Sequence, residues 1–559
     1  MRKSAIILTA FAVALSSHTE TVFRSFEYTG NDDYYNANPL DGKGFYNPVI
    51  AGWASDPSVV RHGDDYWLVT STFGYYPGVP LYHSNDLVNW RLVRNILDRP
   101  SQLDGLCGQS LDKGGIYAPH ISYNPANGLF YMVTTDTGRK LPHFYVTATD
   151  PAGEWSDPVY LNGIDGIDPS FFFDDNGEAY IVFKEDTAGK PRTGATRFIR
   201  FIRFDVASGN TVGESWPLNE QGVSPDDRFA RSEGPHIYKI DGLYYLLTAE
   251  GGTGNNHSAN IYRANNIRGP WLRSGRNPIL TQRLLKPTRS NPVTCSGHAD
   301  FVQTPQGDWF AVFLACRPGP GNFQALGRET FFMPVRWSTD RWPFITQGED
   351  TVPLRIDRPG MVRRDYSQQS GNFTWSDDFS GKTLRPEWLS LRGDASPYYS
   401  LGKKGLVMKP SPDNSSSKGV PAFLGRRIQH HKFSANTTIT KLPSADERSG
   451  LLIVRNENAQ YFLAADRDKV SLIRIGRKGR DTLAETPLTT PSEKSHNSKA
   501  TPSDLTLRVD SDGKTLRFYF RTARGDWQTL ADSIDASHIS CDRTGGFTGT
   551  TLGPYTEPL

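Results

Sequence analysis

Residues 231–252 read RSEGPHIYKIDGLYYLLTAEGG: an acid, Glu233, stands immediately before a Gly-Pro corner, and a strand-like run then turns at Asp241-Gly242 and returns from Leu243 to Ala249. An Asp-Gly pair between two apolar runs is a strong short-range hairpin signal. The stretch predicts a hairpin with a carboxyl group at its lip. Outward from it, the same pattern recurs as DPSVVRHGDDYWLVTST from Asp56, APHISYNPANGLFYMVTTD from Ala118, DPSFFFDDNGEAYIVFKE from Asp168, GPHIYKIDGLYYLLTAEG from Gly234 and HADFVQTPQGDWFAVFLACR from His298. Successive starts are 62, 50, 66 and 64 residues apart. A unit of that length, with two strong strands and room for two weaker ones, fits a four-stranded propeller blade. The expected fold is therefore all-β: a five-bladed β-propeller, followed by a second domain.

In a closed propeller the first strand of each copy lines the central channel. Asp56, Asp168, His298 and, one place earlier in its copy, Glu233 then meet at one mouth. An Asp before Pro at a strand start is commonly a turn former. A turn former has no reason to be acidic in these copies and Ala118 in another, so the acids are read as functional.

Composition bounds the alternatives. A chain of 559 residues needs more than one ordinary core, and 52 Gly, 38 Pro and 12% aromatics describe turn-rich β-structure with flat side chains suited to sugar faces. The net charge of +2 carries no basic block, which argues against nucleic acid and anionic membrane surfaces. Arg2 and Lys3, the apolar run Ala5 to Leu15, then Ser16 and Ser17 read as a signal peptide over residues 1–17, implying export to the periplasm or beyond, with no later segment for membrane insertion. Cys107, Cys295, Cys316 and Cys541 are too scattered for a disulfide scaffold or a C-x-x-C metal pair. They are expected to be mainly buried thiols.

The stretches NPVIAGWASDPSV, STFGYYPGVPLYHSNDLVNW, GGIYAPHISYN, GIDPSFFFDDNGEAYIVF, SEGPHIYKIDGLYYLLTAEGGT, GHADFVQTPQGDWF and ALGRETFFMPVRW resemble, in order, those of glycoside hydrolase family 43, the propellers that include β-xylosidases and α-L-arabinofuranosidases. The resemblance implies Asp56 as general base, Glu233 as general acid and Asp168 as the carboxylate that orients the acid and raises its pKa. It places His298 near the channel centre and Arg328 against substrate. Two departures, Gly74 where the family's β-xylosidases often carry an acid, and Trp53-Ala54-Ser55 before Asp56, bear on which sugar is bound.

Inverting hydrolysis needs a protonated acid at the leaving oxygen and an ionised base about 6.5–9.5 Å away, with room between them for water. A nearby like charge raises a carboxyl pKa, and Asp168 is positioned to supply it. His298 could ligate Ca²⁺ through water, support the acid, or be a core histidine; no cofactor is otherwise required. Arg328 could clamp sugar hydroxyls or form a structural ion pair with Glu329 or another acid. His257, Trp53, Phe73, Tyr75 and Tyr117 are candidate pocket residues. The expected domains are the propeller over 40–345, a connector over 346–373 and, over 374–559, a β-sandwich resembling the family's concanavalin-A-like domain, with a flexible loop from Ser411 to Gly419. In the subset of the family with that domain, a sandwich loop narrows the pocket. The expected partner is a xylo- or arabino-oligosaccharide, hydrolysed from its end. A fructosidase-type propeller is disfavoured by Glu233-Gly234-Pro235, which lacks the Cys of that acid motif.

Overall fold

A computed structural model describes residues 20–185, 199–217, 232–286, 288–364, 368–488, 504–523 and 525–559. The apolar run read as a signal peptide lies outside these residues.

Five antiparallel blades surround a channel. Their inner strands are Ser58–His62, Ile116–Asn124, Ile167–Phe173, Glu233–Ile240 and Thr294–Gln303, each pairing with the second strand of its own hairpin. The hairpins form as their turns dictate: Asp241 and Gly242 both take positive φ at the turn of the fourth. The fifth blade has three strands of its own, ending in Glu329–Pro334. The segment before the first blade runs alongside that strand: Val49 N–H donates to Thr330 O at 2.9 Å, Thr330 N–H to Ile50 O at 3.1 Å and Ala54 N–H to Arg328 O at 2.8 Å. The ring is thereby closed by hydrogen bonds between chain regions nearly 300 residues apart, and no edge is left at the seam.

A girdle of polar groups links the blades around the channel. Ser58 Oγ accepts from Ile121 N–H, His120 Nδ1 from Phe171 N–H, and Pro235 O from Ser170 Oγ. Asp300 then accepts from Tyr238 Oη of the fourth blade and from Ser58 Oγ and Val59 N–H of the first. Every neighbouring pair of blades is joined. Most of these groups are buried, His120 and Tyr238 partly so, and would be costly if unpaired.

The second unit is a β-sandwich of two sheets over one apolar core. Its first sheet contains a strand absent from the expected domain limits, Thr21–Gly30, which lies between Gly405–Met408 and Lys432–Lys441. Phe23, Phe26 and Tyr28 fill the core from it. The connector is also integrated: Arg355–Ile356 pairs with Phe45–Tyr46, and Val352 and Leu354 are buried in the propeller. The segment from Ser411 to Gly419, read as flexible, is held by Ser415, which is fully buried, with its N–H on Tyr555 Oη and its hydroxyl on Gln460 Oε1. Cys295 and Cys316 are buried, whereas Cys107 is exposed.

Candidate active site

Each inner strand enters through a corner with left-handed backbone. Asp56, Ala118, Asp168, Gly234 and His298 have φ of 55°, 34°, 57°, 53° and 49°. They are the five residues that open the sequence repeats. A positive φ turns the side chain out of the strand's alternation, and here it directs two aspartates and a histidine into the mouth of the channel. Glu233 precedes its corner by one residue and faces the same space.

The cavity there is about 240 Å³ and is lined by Asp56, Asp168, Glu233, Lys184, His257, His298 and Arg328, with Phe73, Tyr117 and Phe547 among its apolar walls. Asp56 is 7% exposed. Its Oδ2 accepts from Ser55 Oγ at 2.9 Å and Ser71 Oγ at 2.6 Å; its Oδ1 faces Arg328 Nη1 at 3.2 Å and His298 Nδ1 at 3.4 Å. Burial pushes its pKa up, but Arg328, His298 and the two hydroxyls outweigh burial and hold it below the usual carboxylate value. Ser71 also accepts Ala118 N–H at 2.8 Å, which ties the carboxylate's support to the second blade.

Asp168 moves the other way. Burial, with the nearby Glu233 adding to it against the opposing pull of His298 and Lys184, raises its pKa to about 6. Its Oδ2 accepts Gly234 N–H at 3.0 Å, so it grips the peptide next to Glu233. Glu233 Oε2 lies 3.2 Å from the Nζ of Lys184. Two carboxyl groups here occupy contrasting environments, one held ionised and one inclined to keep a proton, the pattern that separates base from acid chemistry.

Arg328 forms an ion pair, with Asp56 at 3.2 Å rather than with Glu329, which pairs with Arg317 at 2.7 Å. His257 Nδ1–H donates to Cys295 O at 3.0 Å, and burial lowers its pKa to about 4. Phe73 and Tyr117 line the cavity as expected. Trp53 and Tyr75 do not: their rings meet at a tilt with centroids 4.7 Å apart, Arg427 of the sandwich lies 4.1 Å over the Trp53 ring, and Tyr75 Oη meets Thr551 Oγ1 at 3.2 Å. Both are buried against the second domain, whose arrival the local sequence could not show.

Gly74 is also not a pocket position. A Cβ there would stand 2.8 Å from Leu111 Cα, so the backbone excludes any side chain, acidic or not.

The expectation of a metal at His298 meets a different arrangement. Among the described residues, the three-residue grouping able to surround an ion is His120, His236 and Asp300, with ligand atoms within 4.8 Å of one another, and it leaves out His298. The grouping offers two ring nitrogens and one carboxylate oxygen, a nitrogen-rich set for calcium, which takes roughly six to eight oxygens, water included. His120 and Asp300 are moreover engaged in the girdle.

Sequence reasoning did not name Ser71, Lys184 or Phe547, and named Ser55 only within the stretch that departs from the family before Asp56. Phe547 comes from the sandwich, in the Gly-rich stretch near the C-terminus, and stacks on Phe73 at 5.9 Å while Arg328 lies 5.4 Å over its ring. The serines flank Asp56 in the first repeat, the one signal that could have singled them out.

The sequence profile described as glycosyl hydrolases family 43 matches residues 45–343, and that of the beta xylosidase C-terminal concanavalin A-like domain matches 376–557. The chain belongs to family 43. Among its relatives, a non-reducing end alpha-L-arabinofuranosidase of Bacteroides ovatus is 34% identical over 92% of each chain, and a xylosidase/arabinosidase of Butyrivibrio fibrisolvens is 35% identical over 91% of this chain and 95% of its own. A crystal structure of a GH43_12 protein from a capybara gut metagenome superposes with a TM-score of 0.87 at 35% identity, covering 96% of this chain and 99% of its own. This family 43 chain is a glycoside hydrolase built from a five-bladed propeller and a concanavalin-A-like sandwich.

Proposed function

We propose that the enzyme hydrolyses terminal pentosides of plant cell-wall oligosaccharides with inversion, Asp56 acting as general base and Glu233 as general acid. The observation that carries this reading is the convergence of three carboxyl groups from three blades, Asp56 and Asp168 at left-handed corners and Glu233 one residue before the corner at Gly234, with Asp56 held ionised by Arg328. In the step, Asp56 takes a proton from water as its oxygen bonds the anomeric carbon. The glycosidic bond breaks, and Glu233 gives its proton to the departing oxygen. Asp168 holds the Gly234 peptide and so fixes the acid, and its negative field favours protonation of Glu233 whenever it is itself ionised.

The cavity volume supports release of single sugars. At about 240 Å³ it falls below the roughly 300–1,000 Å³ of sites for drug-sized ligands, and Phe547 walls one side. The β-xyloside is the first substrate reading, from the sequence motifs. The α-L-arabinofuranoside is the second, favoured by the name of the Bacteroides ovatus relative. The test is release of aryl β-D-xyloside against aryl α-L-arabinofuranoside, with the anomer followed by NMR and Glu233→Gln alongside. Turnover with inversion is expected, and Glu233→Gln should lower kcat by about 10²–10⁴-fold with sugar binding retained. No turnover of either substrate sinks the substrate reading. Retained configuration sinks the mechanism.

A further inference from the structure

Lys184 ends the second strand of the third blade, Ala179–Lys184, and its side chain is 1% exposed. A buried ammonium is costly unless a counter-charge meets it. That counter-charge is Glu233, whose Oε2 lies 3.2 Å from Nζ. The strand register fixes the approach, since Lys184 lies opposite Ile167, next to Asp168. Lys184 thus reaches the acid from the blade that also carries Asp168, while Glu233 itself belongs to the next blade.

A cation this close favours the ionised form of its partner, which opposes the proton that Glu233 must carry at the start of the reaction. Its use comes later in the step. We propose that Lys184 is a positioning residue for Glu233: its ammonium fixes the carboxyl at the cavity and receives the negative charge that Glu233 acquires as its proton passes to the leaving oxygen. The inference rests on the reading of Glu233 as general acid. The other groups facing that carboxyl are Asp168 from the third blade, His257 from the loop entering the third strand of the fourth, and His298 from the fifth, with Asp56 and Arg328 across the cavity. Among the cations of the described residues, Lys184 is the one paired with Glu233; Arg328 is paired with Asp56.

The test compares Lys184→Met with the native enzyme on two β-D-xylosides or, if the enzyme prefers them, the matching α-L-arabinofuranosides. One has an alkoxide leaving group that needs a proton; the other has a dinitrophenolate that departs without one. Lys184→Met should shift the alkaline limb of kcat/KM upward by about one pH unit, because the acid keeps its proton longer. It should also lower kcat on the alkyl glycoside about tenfold or more, with little change on the dinitrophenyl glycoside and little change in KM. An unmoved limb, or equal losses on both substrates, overturns the proposal. If Lys184→Met does not fold, Lys184→Gln carries the same two readouts. Glu233→Gln is measured in parallel: full activity on the alkyl glycoside would remove the acid assignment, whereas its collapse beside an unmoved Lys184→Met profile would remove Lys184 alone.

Discussion

Asp168 is strained twice, by its left-handed backbone and by burial of its carboxyl at 6% exposure. A non-glycine residue in that backbone region costs about 1–3 kcal/mol, and such costs gather at functional sites. At the matching corner of the fourth blade glycine is required, because a Cβ on Gly234 would meet the His298 ring at 2.6 Å. The carboxyl adds a pH signature. In the unfolded chain Asp168 ionises near its ordinary 3.8, but in the folded site near 6. Its neutral form is thus favoured by folding: the contribution is fully present below pH 3.8 and is lost as pH rises through about 6. Asp168→Asn, which keeps shape without charge, should make the protein more stable than native at pH 7 by up to about 3 kcal/mol, with the difference vanishing near pH 4. Urea unfolding at the two pH values measures it, and a variant less stable at pH 7 would contradict this account of the site. The meeting of these residues at one mouth was legible because Asp56 and Asp168 open their copies of a local pattern and Glu233 stands one place before its own. Lys184 was not, since its sequence context is that of an ordinary strand end and its partner comes from another blade.

The loop carrying Phe547 supplies a wall of the pocket from the second domain. Phe547 touches Phe73 and Tyr117 at 5.9 and 5.8 Å between centroids, and its carbonyl accepts from Arg328 Nη2 at 3.4 Å. The loop is seated by a buried polar contact between domains: Arg455 reaches Asp112 at 3.2 Å and Thr548 Oγ1 at 2.7 Å, and Phe547 N–H donates to Asp112 O at 2.9 Å. Aromatic stacking and cation–π contacts of this kind contribute about 1–2 kcal/mol together. Phe547→Ala should therefore lower kcat/KM on a single-sugar aryl glycoside by roughly 5–30-fold, mainly through KM, with the melting temperature little changed because the ring is only half-buried. An unchanged KM would show that the sandwich does not shape the sugar site. The propeller hairpins could be read from sequence because each is closed by its own turn within about 20 residues. The Phe547 contact could not, and for the same reason Trp53 and Tyr75 were placed in the pocket: their position beside Asp56 and Phe73 was visible, but the domain that covers them was not.

At the scale of the molecule, the chain begins in one domain, builds the other, and returns. Thr21–Gly30 sits inside the first sandwich sheet, pairing with Gly405–Met408 and, over most of its length, with Lys432–Lys441, and Thr374–Asp377 adds to the same strand. These pairings close loops of about 400 residues, the kind of non-local contact that sequence patterns do not reveal and that slows folding. Phe26 lies 6.2 Å from Trp375 and 5.2 Å from Trp388, so the N-terminal strand supplies part of the aromatic core. Without it the sheet would split into unpaired edges with Trp375, Trp388 and Phe433 uncovered. Residues 374–559 alone, the domain suggested by the sequence, are therefore expected not to unfold cooperatively. Adding a peptide of residues 20–31 should restore a cooperative urea transition in tryptophan fluorescence, because Trp375 and Trp388 report on the Phe26 contact directly. The same peptide carrying Phe23→Asp and Phe26→Asp should not restore it. A sharp transition of 374–559 without any peptide would show that the sandwich is self-sufficient and that the N-terminal strand is an addition to it rather than a part of its core.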